Sequence, residues 1–318
     1  MSLSSDNFTA SIYLRDQAKK WKNISFLMII AILLLTLRLL FGSADNNKNI
    51  DKTSDFIASI NIEGVIFNDT YRNEVLERIS TQENIKAVIV NINSPGGGIV
   101  GSENLYSQLR DIASKKPIVV VMGSVAASGG YMAAIASDHI IARNGTLTGS
   151  IGVIMQSSEI TELASKIGVK FVTYKSSPLK GSPSPFEKTT PLTDQVIQNS
   201  VKDIYDFFSE MVKERRGEKL TAKNLSKILD GRIFTGRQAL QNGLIDQIGG
   251  KKEALNYLSE KKQIDVEEYQ VRKIDLEKKE NALLSKFVGE ATLSKIIGKI
   301  TNGFGINSNQ LMSVWTLN

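Results

Sequence analysis

The chain has no cysteine and one histidine, His139, in 318 residues. Without cysteine there is no disulfide, no thiolate nucleophile and no thiolate metal site. A single imidazole is too little for a histidine-rich zinc centre, so no metal is expected. Basic residues exceed acidic ones by only six. No basic block interleaved with aromatics marks a nucleic-acid surface, and no internal repeat is present. What is left is a globular composition, 42% hydrophobic and 23% charged, long enough for one large domain or two small ones.

Polar residues are scarce in one long run. Residues 24–41, ISFLMIIAILLLTLRLLF, are apolar except for Ser25, Thr36 and Arg38. About 18–20 apolar residues span a bilayer as a helix. Arg15, Lys19, Lys20 and Lys22 precede the run, and basic residues stay on the cytoplasmic side. The expected order is a cytoplasmic segment 1–23, a transmembrane signal-anchor helix 24–41 and a polar tether 42–54. The rest of the chain then lies outside the cytoplasm, on the periplasmic or extracytoplasmic face of the cell (inner) membrane. The alternatives are a cleaved signal peptide, for which Gly42-Ser43-Ala44 offers small residues, and a buried core helix.

From Phe56 onward, short apolar runs alternate with amphipathic stretches. Strands are expected at 56–62, 87–92, 118–122, 140–142 and 170–174, with one more within 267–273. A helix is expected at 103–113, with Leu105, Leu109 and Ile112 on one face. A longer helix is expected at 193–216, burying Val196, Ile204, Phe207, Phe208 and Met211. Thr235-Gly-Arg-Gln238 has capping-box spacing. The alternation implies an α/β domain, 55–262, with a largely parallel sheet. A C-terminal extension, 263–318, holds an amphipathic, lysine-bearing stretch at 282–300.

One serine, Ser128, sits among near-naked backbone in GSVAASGGYMAA at 123–134. Such a serine suits a nucleophile, but it needs a base to take its proton. His139 is only eleven residues on, at the start of the next strand, and reads as structural. The Ser177-x-x-Lys180 spacing needs a helix that Pro178, Pro183 and Pro185 oppose. Gly96-x-Gly98-x-x-Gly101 matches a dinucleotide loop, yet the next strand ends without the carboxylate that a ribose requires. No cofactor is therefore expected. The other use of such a loop is to aim backbone N–H groups at a developing negative charge.

NSPGGG (93–98), ASGGY (127–131), TLTGSIGV (146–153), GRIFTGRQA (231–239) and GLIDQIGG (243–250) occur in this order. Together they resemble the signal peptide peptidase A family, also called protease IV, over roughly residues 54–258. The resemblance implies a Clp protease/crotonase-like fold with repeated β-β-α units. It also implies a membrane-anchored serine endopeptidase that cleaves remnant signal peptides and other unfolded segments. By the same resemblance Ser128 is the nucleophile, Lys180 the general base and Ser150 the residue that orients the lysine. Gly97 and Gly129 supply the oxyanion-hole N–H groups. Lys175, five residues before Lys180, is the other candidate base. The family's single-domain form implies a homo-oligomeric ring, an octamer, in which serine and lysine can come from neighbouring protomers. A crotonase-type acyl-CoA enzyme and an inactive membrane scaffold are the alternative functions.

Overall fold

The structure, a computed structural model, describes residues 20–22, 24–33, 36 and 54–277. It divides into a unit formed by 1–50 with 279–318 and a unit formed by 51–278. In the first, residues 24–33 are helical and their side chains are exposed. The remainder of the expected anchor, 34, 35 and 37–41, lies outside the described residues, as does the 282–300 stretch. No helix among the described residues is long and apolar enough to cross a membrane.

The second unit is built on an eight-stranded sheet. β1 (Phe56–Ile66), β2 (Ile85–Gly97) and β3 (Ile118–Ala127) are its centre. β4 (His139–Ala142), β5 (Leu147–Gly149), β6 (Ile233–Thr235), β7 (Gln247–Ile248) and β8 (Val271–Lys273) complete it. The main path runs β6-β5-β3-β2-β1-β8, with β4 bridging β3 and β7. All pairs are parallel except β5 with β6. Parallel neighbours need crossovers. These are α1 (Thr70–Thr81) between β1 and β2, α2 (Ile99–Lys115) between β2 and β3, and α3 (Gly129–Ala134) after β3. Strand and helix thus alternate singly up to β4, where a β-β step leads to β5; the expected repeated β-β-α unit is not the pattern.

The three central strands are longer than their apolar runs suggested. Their N-terminal halves carry Ile57, Ala87, Ile89 and Val119 into one buried cluster with Ile141 of β4. Ala254 and Leu258 of α8 (Lys251–Lys262) close that cluster. Their C-terminal halves are polar and glycine-rich, and register rather than hydrophobicity keeps them in the sheet. β8 pairs with β1 through Ile57–Val271, so the sheet draws in residues assigned above to the C-terminal extension.

α5 (Pro191–Arg216) buries Phe208 and Met211, whereas Val196 and Phe207 are exposed, against expectation. Residues 170–174 form no strand. α4 (Thr161–Lys166) lies between β5 and that segment, and the short α6 (Leu225–Ile228) follows α5. α7 (Gly236–Gln241) carries the expected capping box, Thr235 with Gln238.

At the end of α5 the Arg216 guanidinium is 4% exposed and sits 3.0 Å from both Asp246 oxygens. It also donates to Gly243 O. Burial alone would push the Asp246 carboxyl up. Arg216, Lys219 and the Ile140 N–H outweigh it and hold the group below its ordinary value. A depressed carboxylate stabilises the fold above its unfolded pKa, near 3.9, and that contribution is lost as pH falls through the folded value. Thermal unfolding of wild type should therefore drop steeply below about pH 4. Arg216→Met, which removes the buried guanidinium and leaves Asp246 with Lys219 and the Ile140 N–H, should cost about 1–3 kcal/mol near neutral pH. In that variant much of the acid-induced loss should disappear.

Candidate active site

The site forms where β2 and β3 end. Ser128 follows β3 directly and precedes α3, with φ 52° and ψ −121°. A non-glycine residue there costs on the order of 1–3 kcal/mol and persists only where its surroundings over-determine it. They do so here. Ser128 N–H donates to Gly149 O at 2.8 Å, and Met132 N–H returns to Ser128 O at 2.9 Å. The backbone is thereby locked between the end of β5 and the first turn of α3.

The glycines around Ser128 are there for close approach. A methyl group on Gly96 would lie 2.7 Å from Gly129 N and 2.9 Å from Ser128 Cβ. One on Gly129 would lie 2.1 Å from Ser102 Oγ, and one on Gly130 2.7 Å from Ser94 O. The glycine loop and the serine elbow therefore pack backbone to backbone. Ser94, fully buried, steadies the loop by accepting from Gly96 N–H at 3.0 Å. Ser102 Oγ donates to Gly98 O at 3.0 Å. Ser102 does not stand out in the sequence, because its place depends on Gly129, far along the chain.

Two N–H groups face this corner. Gly97 is opposite Ile66 in the β1–β2 ladder, and Gly98 N–H donates to Ile66 O. In a parallel ladder the residue whose neighbours make the bonds turns its own groups the other way. The Gly97 N–H therefore points away from β1, to the β3 side. Gly129 is the first residue of α3, where helix N–H groups lack intrahelical acceptors.

Ser150 follows Gly149, the acceptor for Ser128 N–H, and has φ 52° itself. Its N–H donates to Arg232 O at 2.8 Å. β5 is held to β3 by Thr148 Oγ1, which donates to Ala126 O at 2.6 Å. β6, from the GRIFTGRQA stretch, pairs with β5 through Thr148–Phe234. Four of the five sequence motifs thus surround one point, and the fifth, GLIDQIGG, anchors α3 from behind through Tyr131. The Tyr131 hydroxyl is buried and donates to Leu244 O at 2.9 Å.

The structure brings Ser128, Ser150, Gly97 and Gly129 together. Lys180 joins them through no hydrogen bond or ion pair among the described residues. It lies in an exposed turn, its N–H on Ser177 O at 3.1 Å. Lys175 is half-buried and paired with Glu187. The hydrogen bond from the Lys175 ammonium holds the half-buried Glu187 carboxyl below its ordinary value. His139 is far from Ser128: it pairs with Val119 at the start of β3. Its ring stacks on Tyr257 at 4.1 Å and its Nε2 meets Gln247 Oε1 at 3.2 Å. Burial lowers its pKa. Among the described residues no group of three or more His, Asp or Glu could hold a metal ion.

Known proteins are similar to this chain. A protein of Synechocystis sp. named as a protease is 38% identical over 200 residues, covering 62% of this chain and 71% of its own. A signal peptide peptidase SppA of Enterococcus faecium is 38% identical over 190 residues, 59% of this chain and 55% of that one. Protease 4 of Haemophilus influenzae is 33% identical over 210 residues, 63% of this chain and 34% of that one. The model of peptidase family S49 matches residues 110–265, from the middle of α2 to just past α8. With its glycine loop, serine elbow and β5–β6 support in place, the chain belongs to peptidase family S49, the serine peptidases related to signal peptide peptidase A.

Proposed function

We propose that this protein is a membrane-anchored serine endopeptidase with a Ser128–Lys180 dyad, cleaving remnant signal peptides and other unfolded segments outside the cytoplasm. The observation that carries the reading is Ser128 itself. A serine held in a costly backbone conformation, against a glycine loop and at the first turn of a helix, is arranged for attack on a carbonyl.

Ser128 Oγ attacks the scissile carbonyl carbon while Lys180 Nζ takes its proton. The Gly97 and Gly129 N–H groups stabilise the tetrahedral oxyanion. Such donors are worth about 2.7–4 kcal/mol each in comparable sites. The protonated lysine then gives its proton to the leaving amine, and the peptide bond breaks. A water, deprotonated by the same lysine, attacks the acyl-enzyme and releases the acid with Ser128 restored. Ser150, next to the Ser128 contact on β5, is suited to orient the lysine. No cofactor enters this cycle.

Lys180 is preferred to Lys175 because Lys175 is already engaged in an ion pair with Glu187. A lysine acts as base only when neutral, and covering it with apolar surface favours that form. The segment from the end of β5 to the start of α5, residues 150–190, holds Lys180 and is rich in material for such a cover. Ile154 is 83% exposed, Ile167 71% and Tyr174 95%. Apolar side chains on this scale are suited to burial against a second copy of the chain. A homo-oligomeric ring, an octamer by family resemblance, would bury this arm and carry one protomer's Lys180 to another's Ser128. The exposed apolar helix at 24–33, after a basic N-terminal segment, supports anchoring in the cell (inner) membrane with the catalytic unit on the extracytoplasmic side.

The test uses full-length protein in detergent, an unfolded fluorogenic peptide and a fluorophosphonate label. Wild type should react with the label and cleave the peptide. It should sediment as an oligomer. Absence of both labelling and cleavage in the assembled protein would overturn the assignment.

A further inference from the structure

α3, the nucleophile helix, has only six residues. A helix that short does not hold itself in water, yet it starts from the strained Ser128. The turn that ends it has an unusual set of partners. Ile135 O accepts from Arg215 Nε at 3.0 Å and Ser137 O from Arg215 Nη2 at 3.2 Å. Ala136 O, between them, accepts from Arg110 Nη1 at 2.8 Å. Two guanidiniums take three successive carbonyls. Burial, and then the Arg110 charge, push the Arg215 guanidinium below its ordinary value. Bringing two cations together here carries a cost that one cap would avoid.

The origins of the two arginines are informative. Arg110 is on α2, the helix that leaves the glycine loop at Gly98. Arg215 is near the end of α5, the helix that begins at Pro191 just after the Lys180 loop. The helix that leaves the glycine loop and the helix that follows Lys180 in the chain each send an arginine to the far end of the nucleophile helix. We propose that Arg110 and Arg215 are positioning residues for catalysis. They set α3, and through it Ser128 and the Gly129 N–H, in register with the glycine loop and with the helix that follows the lysine loop. The proposal rests on the reading of Ser128 as nucleophile.

A shift of about 1 Å in such a constellation costs on the order of 10²-fold in rate. Arg215→Met and Arg110→Gln in the full-length protein are therefore expected to lower kcat by about 10–100-fold while KM stays within about two-fold. The fluorophosphonate labelling rate should fall in parallel. Arg215→Lys should recover part of the loss, because an ammonium reaches one carbonyl where the guanidinium fork reaches two. Rates are taken per folded molecule, well below each variant's Tm. Should Arg215→Met fail to fold, Arg110→Gln, which removes a single bond, decides the matter. Unchanged kcat and labelling in the folded variants would overturn the proposal, whatever happens to Tm. Cleavage surviving in Ser128→Ala, run alongside, would instead remove the reading beneath it.

Discussion

Ser128→Ala in the full-length protein is expected to lose peptide cleavage by at least about 10³-fold and to lose fluorophosphonate labelling altogether. The variant should fold, because Ser128 is held by its backbone N–H and C=O and not through its hydroxyl. Lys180→Ala should fall nearly as far, since a general base contributes about 10²–10⁴-fold. Lys180→Arg should be no better, because a guanidinium stays charged and cannot accept the proton. Lys175→Met provides the contrast. It removes the ion pair with Glu187, so it should disturb the loop and lower the rate only a few-fold. Full activity in Lys180→Ala, with loss in Lys175→Met, would transfer the role of base to Lys175.

Gly97→Ala is expected to disable the site by a different route. The added methyl would lie 2.0 Å from Ile66 O, 2.6 Å from Ile66 N and 2.7 Å from Ile66 C. All three are backbone atoms of the paired strand, and no side chain can swing aside. β1 and β2 must separate at their C-terminal ends, which moves the Gly97 N–H from the place where the oxyanion forms. Labelling and cleavage should both fall by at least about 10²-fold, the effect of losing one oxyanion donor. Overpacking should also cost about 1–3 kcal/mol in stability. Gly98→Ala is the control. Its methyl would meet only Ile66 O, at 4.0 Å, so activity should stay near wild type. Equal loss in both variants would mean that the loop needs glycine for freedom and not for close approach.

Much of the fold could be read in advance, for physical reasons. Ile57, Val88, Val90 and Val119 lie in runs that are apolar on both faces, the signature of a parallel sheet covered on both sides. Leu105, Leu109 and Ile112 marked α2 by period, and Thr235 with Gln238 marked the start of α7 by capping chemistry. Reading failed where tertiary contacts outweigh local pattern. β2 continues to Gly97 and β3 to Ala127 because neighbouring strands supply their hydrogen bonds, though Asn93-Ser-Pro-Gly reads as a turn. Residues 170–174 have strand-like side chains but no partner strand, and they stay out of the sheet. Val196 and Phe207 match the helical period of α5, yet the unit covers them only in part.

The sequence by itself determined the chemistry on offer. No cysteine and a single histidine remove thiolate chemistry and a histidine-rich metal centre from the start, and no tertiary contact can add a residue type the chain lacks. Motif order further identified the family. Only the tertiary structure decided which of those residues meet. It folds Gly149 against Ser128 and Ser102 against Gly129, and it sends Arg110 and Arg215 to one helix end. Such meetings depend on strand register and helix crossings over distances of up to about eighty residues, and a linear pattern carries no record of them.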